Sequence, residues 1–253
     1  MKLAALYRYP IKGLSPEPLE AAALTAGGYF PGDRLFAIEN GPARFDPAAP
    51  KHQPKIKFLM LMRHARLATL RTRFDDATGV LTIADADGRT LAQGDLGALA
   101  DRAAIARFFA DFSAEDLRGA PGVLAAPDGF RFTDSRQGFV SLINLASVAD
   151  LAARMGRPLD PLRFRGNLHI DGLAPWAEVD LVGKTLVSPD GATLTVTAAI
   201  DRCAATEVDP TTGARDADVT GALRRAFGHV DCGVYAQVTA GGMLRAGDAL
   251  RVG

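Results

Sequence analysis

Two cysteines in 253 residues, Cys203 and Cys232, leave little room for the chemistry that cysteine usually signals. No Cys-x-x-Cys pair and no His-Glu-x-x-His run occurs, and there are only four histidines, so neither a structural zinc site nor a zinc hydrolase is indicated. The chain also lacks any apolar run near the roughly 20 residues that span a bilayer. Its start, Met1 to Arg8, soon turns polar and reads as a strand, so the expectation is no signal peptide, no membrane anchor and a cytoplasmic protein with reduced thiols. Charge of one sign is missing too. Formal net charge is zero, which argues against a general nucleic-acid or membrane-surface binder. Lysine is scarce, 6 against 23 arginines; arginine suits phosphates and planar ligands, although surface arginine in an alanine-rich chain is the commoner origin of such a bias.

What remains is an ordinary globular composition, 48% hydrophobic and 23% charged, on a length that supports one large or two small cores. Leu3 to Tyr9 reads as an edge-like strand, Leu19 to Leu24 as a weaker one, and Pro31 to Arg34 as a turn into Leu35–Ile38. Asn40 to Lys55, rich in Pro, Gly and Ala, reads as an exposed, mobile loop. Leu67–Phe74 and Val80–Ala84 flank a hairpin turn. Helical spacing appears at Leu99–Phe112 and again over about Ser147–Met155, with Ser147 as N-cap and Gly156 as stop. Short strands follow at Leu168–Ile170, Thr185–Val187, Thr193–Ile200, Gly233–Val238 and Ala249–Val252. The pattern predicts a mostly β, barrel-type fold with a few helices, divided near the Pro- and Gly-containing linker into residues 1–120 and 121–253.

Three places carry candidate chemistry. In Asp201-Arg202-Cys203 a thiol stands at the end of an apolar strand beside a guanidinium, and Val208 to Gly213 then supplies turn residues. A fixed positive charge next to a thiol favours the thiolate, the form that binds soft metals or attacks sulfur, but a lone cysteine among Ala and Val is most often a small buried hydrophobe. In Arg163-Phe164-Arg165-Gly166-Asn167, strand alternation would set Arg163, Arg165 and Asn167 on one face, able to grip phosphate or merely to blunt a sheet edge. Ser147, at a predicted helix start, is either a cap or part of an anion site.

Arg202 to Asp216, with the order Arg-Cys-x-x-Thr-x-Val-Asp-Pro-x-Thr-Gly-x-Arg-Asp, resembles the signature of MOSC domains, the molybdenum cofactor sulfurase C-terminal family. Arg163 to Asn167 is similar to the family's Arg-Phe-Arg-Pro-Asn, with Gly166 in place of Pro. Tyr9-Pro10-Ile11-Lys12-Gly13 resembles the Tyr-Pro-x-Lys-Ser that opens the β-barrel domain preceding many MOSC domains, with Gly13 in place of Ser, and Gly32-Asp33-Arg34 resembles that domain's Gly-Asp-Arg. Asn144 to Leu151 looks like the family's Glu-Ala-Ser helix start, and Cys232 to Tyr235 like its Phe-Gly-x-Tyr strand.

The resemblance covers Tyr9 to Val252 and implies two β-barrel parts with a molybdenum cofactor (molybdopterin) between them. It implies Cys203 as catalytic thiolate and molybdenum ligand, and Lys12, Arg34, Ser147, Arg165, Asn167 and Arg202 as cofactor-binding residues. The implied activity, as in the group that includes the mitochondrial amidoxime-reducing component, is reduction of small N-oxygenated substrates. With no iron–sulfur, flavin or haem motif, the electrons would come from a separate electron-transfer protein. Two alternatives stay open: a Cys203 persulfide in a sulfur carrier, and a non-enzymatic cofactor carrier. Cys232 and His64 read as structural.

Overall fold

The computed structural model describes residues 1–42, 45–135 and 140–253. Its first part contains β1 (Lys2–Arg8), β2 (Glu17–Leu19), β3 (Ala21–Leu24), β4 (Phe36–Ile38), the meander β5 (Arg71–Phe74), β6 (Val80–Ala84) and β7 (Thr90–Asp95), then α1 (Leu99–Phe112) and β8 (Val123–Ala125). There follow β9 (Val140–Asn144), α2 (Leu145–Met155), β10 (Leu168–Asp171), β11 (Thr185–Val187), β12 (Thr193–Asp201), α3 (Val219–Phe227), β13 (Asp231–Ala240), β14 (Gly242–Arg245) and β15 (Arg251–Val252). The fold is mostly β, and its largest sheet runs β15-β11-β12-β13-β9-β10-β1-β2. Among the described residues no helix is long and apolar enough to cross a membrane.

β1 is not an edge. It is held antiparallel by β10 on one side and β2 on the other, and an irregularity between Leu3 and Ala5 lets Leu3 and Leu6 enter the same core as Leu168 and Ile170. Strands from both sides of residue 120 therefore share one sheet, and β3 likewise pairs with β14. A second core, around Leu59, Leu67, Leu81, Ile83, Ile105 and Phe109, lies under the β5–β7 meander and α1. Helix α1 has the predicted limits because Ile105 and Phe109 share its buried face. Helix α2 begins earlier than predicted: Asn144, not Ser147, is its cap, accepting from the Ala146 N–H, while Gly156 ends it in the left-handed conformation as expected. α3, absent from the sequence reading, is capped by Asp218 and stopped by Gly228. The predicted loop from Asn40 to Lys55 passes through positions 43–44, outside the described residues; beyond them its chain is exposed to Lys51 and then turns inward.

β12 bends where it matters. Irregular pairing with β13 between Val196 and Ala198, and again between Ala199 and Asp201, breaks the ladder so that Arg202 and Cys203 leave the sheet in a new direction.

One buried group ties the sheet to pH. His169, on β10 between β9 and β1, is 4% exposed, packs on Tyr7 with ring centroids 4.9 Å apart, and leaves Nε2 without a partner among the described residues. Burial pushes its pKa down from 6.5 to about 4, against a weaker opposing pull from Asp160. The unfolded chain thus takes up this proton first, and the stabilisation, complete above the unfolded value, is lost as pH falls toward 4. From pH 7 to pH 5 that loss is about 2 kcal/mol. His169→Phe should flatten the dependence, measured as urea midpoints at the two pH values; an equal loss in the variant would acquit His169.

Candidate functional site

A cleft of about 480 Å³ gathers residues from widely separated stretches of chain: Lys12, Arg34, Lys55 with Met60–Met62, Thr133–Ser135, and the segments around Arg165 and Cys203. Local backbone explains each position. Lys12 follows Ile11, which bridges to Phe36 in β4, and Gly13 then turns at φ 85°. A Cβ at Gly13 would stand 2.8 Å from the Leu59 carbonyl, so a serine hydroxyl has no room there. Lys12 Nζ donates to the Phe132 carbonyl at 2.9 Å and pairs with Asp134. Burial pulls the ammonium below its usual value against the opposing pull of Asp134. Desolvation would raise the Asp134 carboxyl, but Lys12, with Lys55 and Arg34 behind it, overrides this and holds it at about 2. More than half of the Asp134 side chain faces solvent, so the pair is screened and adds little stability.

Arg34 and Arg165 are two of only three described non-glycine residues with positive φ, 49° and 52°. Left-handed backbone costs a non-glycine residue roughly 1–3 kcal/mol and persists only where packing enforces it. Here the enforcement is mutual: the two guanidiniums lie 4.5 and 4.3 Å from the Tyr9 ring, and Arg34 Nη2 donates to the Arg165 carbonyl. Arg34 is neutralised by Asp33, both of whose oxygens accept at 2.6 Å. Arg165 has no such carboxylate; burial, with Arg34 nearby, lowers it to about 10, and its Nη2 is unpartnered.

The one-face strand predicted over Arg163–Asn167 is corrected. Asp160 caps a 3-10 turn, Pro161–Phe164, with proline at its start, and Arg165 ends it in left-handed conformation. The turn sends Arg163 inward, where its 2%-exposed side chain pairs with Asp209 at 2.9 Å and Asp216 at 2.8 Å. Arg163 thereby fixes the loop after Cys203. Asn167 is tied into the sheet: its side-chain Oδ1 accepts from Ser141 N and Oγ, and its Nδ2 donates to the Tyr7 carbonyl. Gly166 is required by packing, since a Cβ would lie 2.3 Å from Ile143 Cγ1. Gly166→Ala should therefore cost about 1–3 kcal/mol, and much less in an Ile143→Ala background; equal costs in both backgrounds, by denaturant melts, would contradict this.

Ser147 is also corrected. It is fully buried away from the cleft, donating to Glu178 at 2.7 Å and accepting from Trp176 N at 2.7 Å, so its single O–H is spent and none is left for an anionic ligand.

Cys203 is half-buried and free, at the start of the 3-10 turn Ala204–Glu207, and its carbonyl accepts from Thr206 N and Oγ1. Arg202 is turned to carbonyls, donating to Cys232 at 2.6 Å and Phe164 at 2.8 Å, with Nη2 unpartnered and burial lowering its pKa. The cation whose side chain reaches the Cys203 sulfur is Lys55. Burial would lower that ammonium, but Cys203 and Asp134 override it and hold it above its usual value. The turn after Cys203 forms as its residues suggest: Asp209 accepts from Thr211 and Thr212 N–H groups, and Gly213 takes φ 72°. Cys232 is 1% exposed, and burial pushes its thiol up to about 12, the behaviour of a core residue. His64 is likewise buried, bonded to Met60.

The cleft thus holds Lys12, Arg34, Lys55, Arg165, Asn167, Arg202 and Cys203 together. Lys55, Tyr9 and Asp134 were missed. Tyr9 opens the Tyr-Pro-x-Lys run yet ends a strand by its sequence pattern, and Lys55 and Asp134 carry no local signal. Among the described residues no three metal-ligating side chains cluster, so a metal here would have to bring most of its ligands with it.

Residues 128–251 match the model of the MOSC domain and residues 1–116 that of the MOSC N-terminal beta barrel domain. The chain belongs to the MOSC family. No curated protein matches it. Among solved structures, the MOSC chain is similar to the YuaD protein from Bacillus subtilis, at 16% identity over 99% of this chain and 94% of that one, with a TM-score of 0.48. It is also similar to YiiM from Geobacillus stearothermophilus, at 19% identity over 46% of this chain and 54% of that one, with a TM-score of 0.37. Likeness at this distance leaves the argument about function to the cleft itself.

Proposed function

We propose that the cleft binds a molybdenum cofactor of molybdopterin type and that the protein reduces small N-oxygenated compounds, drawing electrons from a separate carrier protein. The observation that carries this reading is the meeting of one soft thiol with unneutralised guanidinium groups in a single cavity. Arg165 and Arg202 each keep an Nη2 without a partner, although both line the cleft. Guanidiniums held in a desolvated wall without a carboxylate partner suit a phosphate or a pterin ring. The donor set fits the group: Arg34, Arg165 and Arg202, with Lys12 and one N–H of Asn167, would hold phosphate and pterin, and Cys203 would supply the protein's sulfur to the metal.

When bound, the cofactor supplies two-electron redox chemistry at a metal ion. The side chains bind and orient. Arg163, paired with Asp209 and Asp216, keeps the Cys203 loop in place, and Lys55 keeps a positive charge at the sulfur. For a hydroxylamine the N–O bond breaks, two electrons and two protons are taken up, and the products are an amine and water.

Protein purified from a host that makes the cofactor should contain about one molybdenum and one pterin per chain. It should turn over an aryl hydroxylamine with dithionite but not with a nicotinamide nucleotide alone. Bound cofactor without turnover would make the protein a carrier, and a Cys203 persulfide without metal would make it a sulfur donor.

A further inference from the structure

Zero net charge conceals a strong local imbalance. The 28 residues between Asp46 and Asp75 contain seven lysines and arginines and no Asp or Glu. This stretch forms one lip of the cleft, since Lys55 and Met60–Met62 line it. Lys51, Arg63, Arg66 and Arg73 are exposed, and none has an ion-pair partner among the described residues. The positive surface continues onto the loop that follows Cys203. Arg215 donates to the Leu61 and Met62 carbonyls, and Arg71 donates to the carbonyl of Thr211. Local acids are few: Glu207 faces Arg215, Asp76 pairs with Arg8, Asp134 pairs with Lys12, Asp116 lies near His64, and Asp201, exposed on the cleft wall, acts on Lys55.

We infer that this basic lip is the docking surface for an acidic one-electron carrier protein, which delivers electrons at the mouth of the cleft. The inference rests on the reductase reading of that cleft. Its physical basis is that unpaired cations beside a cavity focus the field there and steer an acidic partner to the place where electron transfer is shortest. A compact acidic face fits better than an extended polyanion. Asp75 and Asp76 directly follow the stretch in sequence, and Asp111, Glu115 and Asp116 flank Phe112, against which Arg66 packs, so a nucleic acid running past the lip would meet these carboxylates. Two sequential one-electron deliveries, with two protons from water, balance the cleavage of one N–O bond to amine and water.

The test uses the full chain and oxidised flavodoxin, an acidic carrier, with cytochrome c as a basic carrier of opposite sign. Binding is read by fluorescence anisotropy and needs no turnover. Flavodoxin should bind, and the affinity should fall steeply between about 0.02 and about 0.2 M salt, as the Debye length shrinks from about 20 to about 7 Å. Lys51→Glu/Arg63→Glu/Arg73→Glu should weaken binding on the order of 10- to 100-fold. Arg251→Glu, on exposed β15, should not. If the triple reversal does not fold, glutamine at the same three positions should still weaken binding and its salt dependence. Equal binding by wild type and variant, equal binding of cytochrome c, or tighter lip-dependent binding to duplex DNA or phosphatidylserine vesicles would overturn the inference. Dithionite-driven reduction of an aryl hydroxylamine, measured separately on cofactor-loaded protein, should survive the triple substitution. Its failure in wild type would strike the reductase reading and leave the binding result to judge the lip.

Discussion

Cys203→Ser should lose molybdenum and lower dithionite-driven N-reduction on the order of 10³-fold or more, while Cys232→Ser should keep the chemistry and lose stability instead. The contrast follows from the surroundings of the two thiols. Cys203 is half-exposed to the cleft, free, and met by the Lys55 ammonium. A serine oxygen there is a harder, weaker ligand for a metal that sulfur holds well. Cys232 is 1% exposed within the core formed by Ile143, Val148, Leu151 and Phe164. A hydroxyl buried there without a partner costs about 1–3 kcal/mol. Metal analysis, turnover and thermal melts on the two variants separate the roles. Equal metal loss in both, or full metal in Cys203→Ser, would remove Cys203 from the metal.

How much of this was legible in the sequence depends on how local each cause is. Helix α1 was read to its ends because Ile105 and Phe109 repeat at helical spacing, and Gly156 marked the end of α2 because a left-handed stop favours glycine. The Cys203 turn was legible for the same reason, since Asp209 and Gly213 act within a few residues. Arg163–Asn167 misled: alternation of charge around Phe164 imitates a strand, whereas Asp160-Pro161 just before it is a helical start signal that went unread. Helix α3 carried similar signals in Asp218 and Gly228. Lys55 could not be read at all, because its role comes from a fold that carries a surface-like loop to a thiol far along the chain. Ser147 failed because Glu178, which claims its hydroxyl, is visible only once α2 packs beside it.

Arg165→Ala should weaken cofactor retention by about 10- to 150-fold, the equivalent of one charge-assisted contact of roughly 1.5–3 kcal/mol. The same substitution should not unfold the protein. Arg165 is held in left-handed backbone, in a wall where burial lowers its pKa to about 10 and Arg34 lies close by. Among the described residues its compensations are the Tyr9 ring, 4.3 Å away, and the pull of Asp134 and Asp33, and its Nη2 has no partner. Removing it relieves repulsion and desolvation while giving up a cation–π contact of about 1–2 kcal/mol, so the terms nearly offset. A residue whose charge opposes folding, in the wall of a cleft and with a donor left unpaired, is the one the proposed ligand would need. Arg165→Lys should recover only part of the retention, because an ammonium cannot present two parallel donors. The measurement is molybdenum and pterin content under limiting cofactor, alongside a thermal melt. Wild-type occupancy in Arg165→Ala would return this guanidinium to an ordinary structural role, and a large loss of stability with unchanged occupancy would show that Tyr9 and Arg34 need it more than any ligand does.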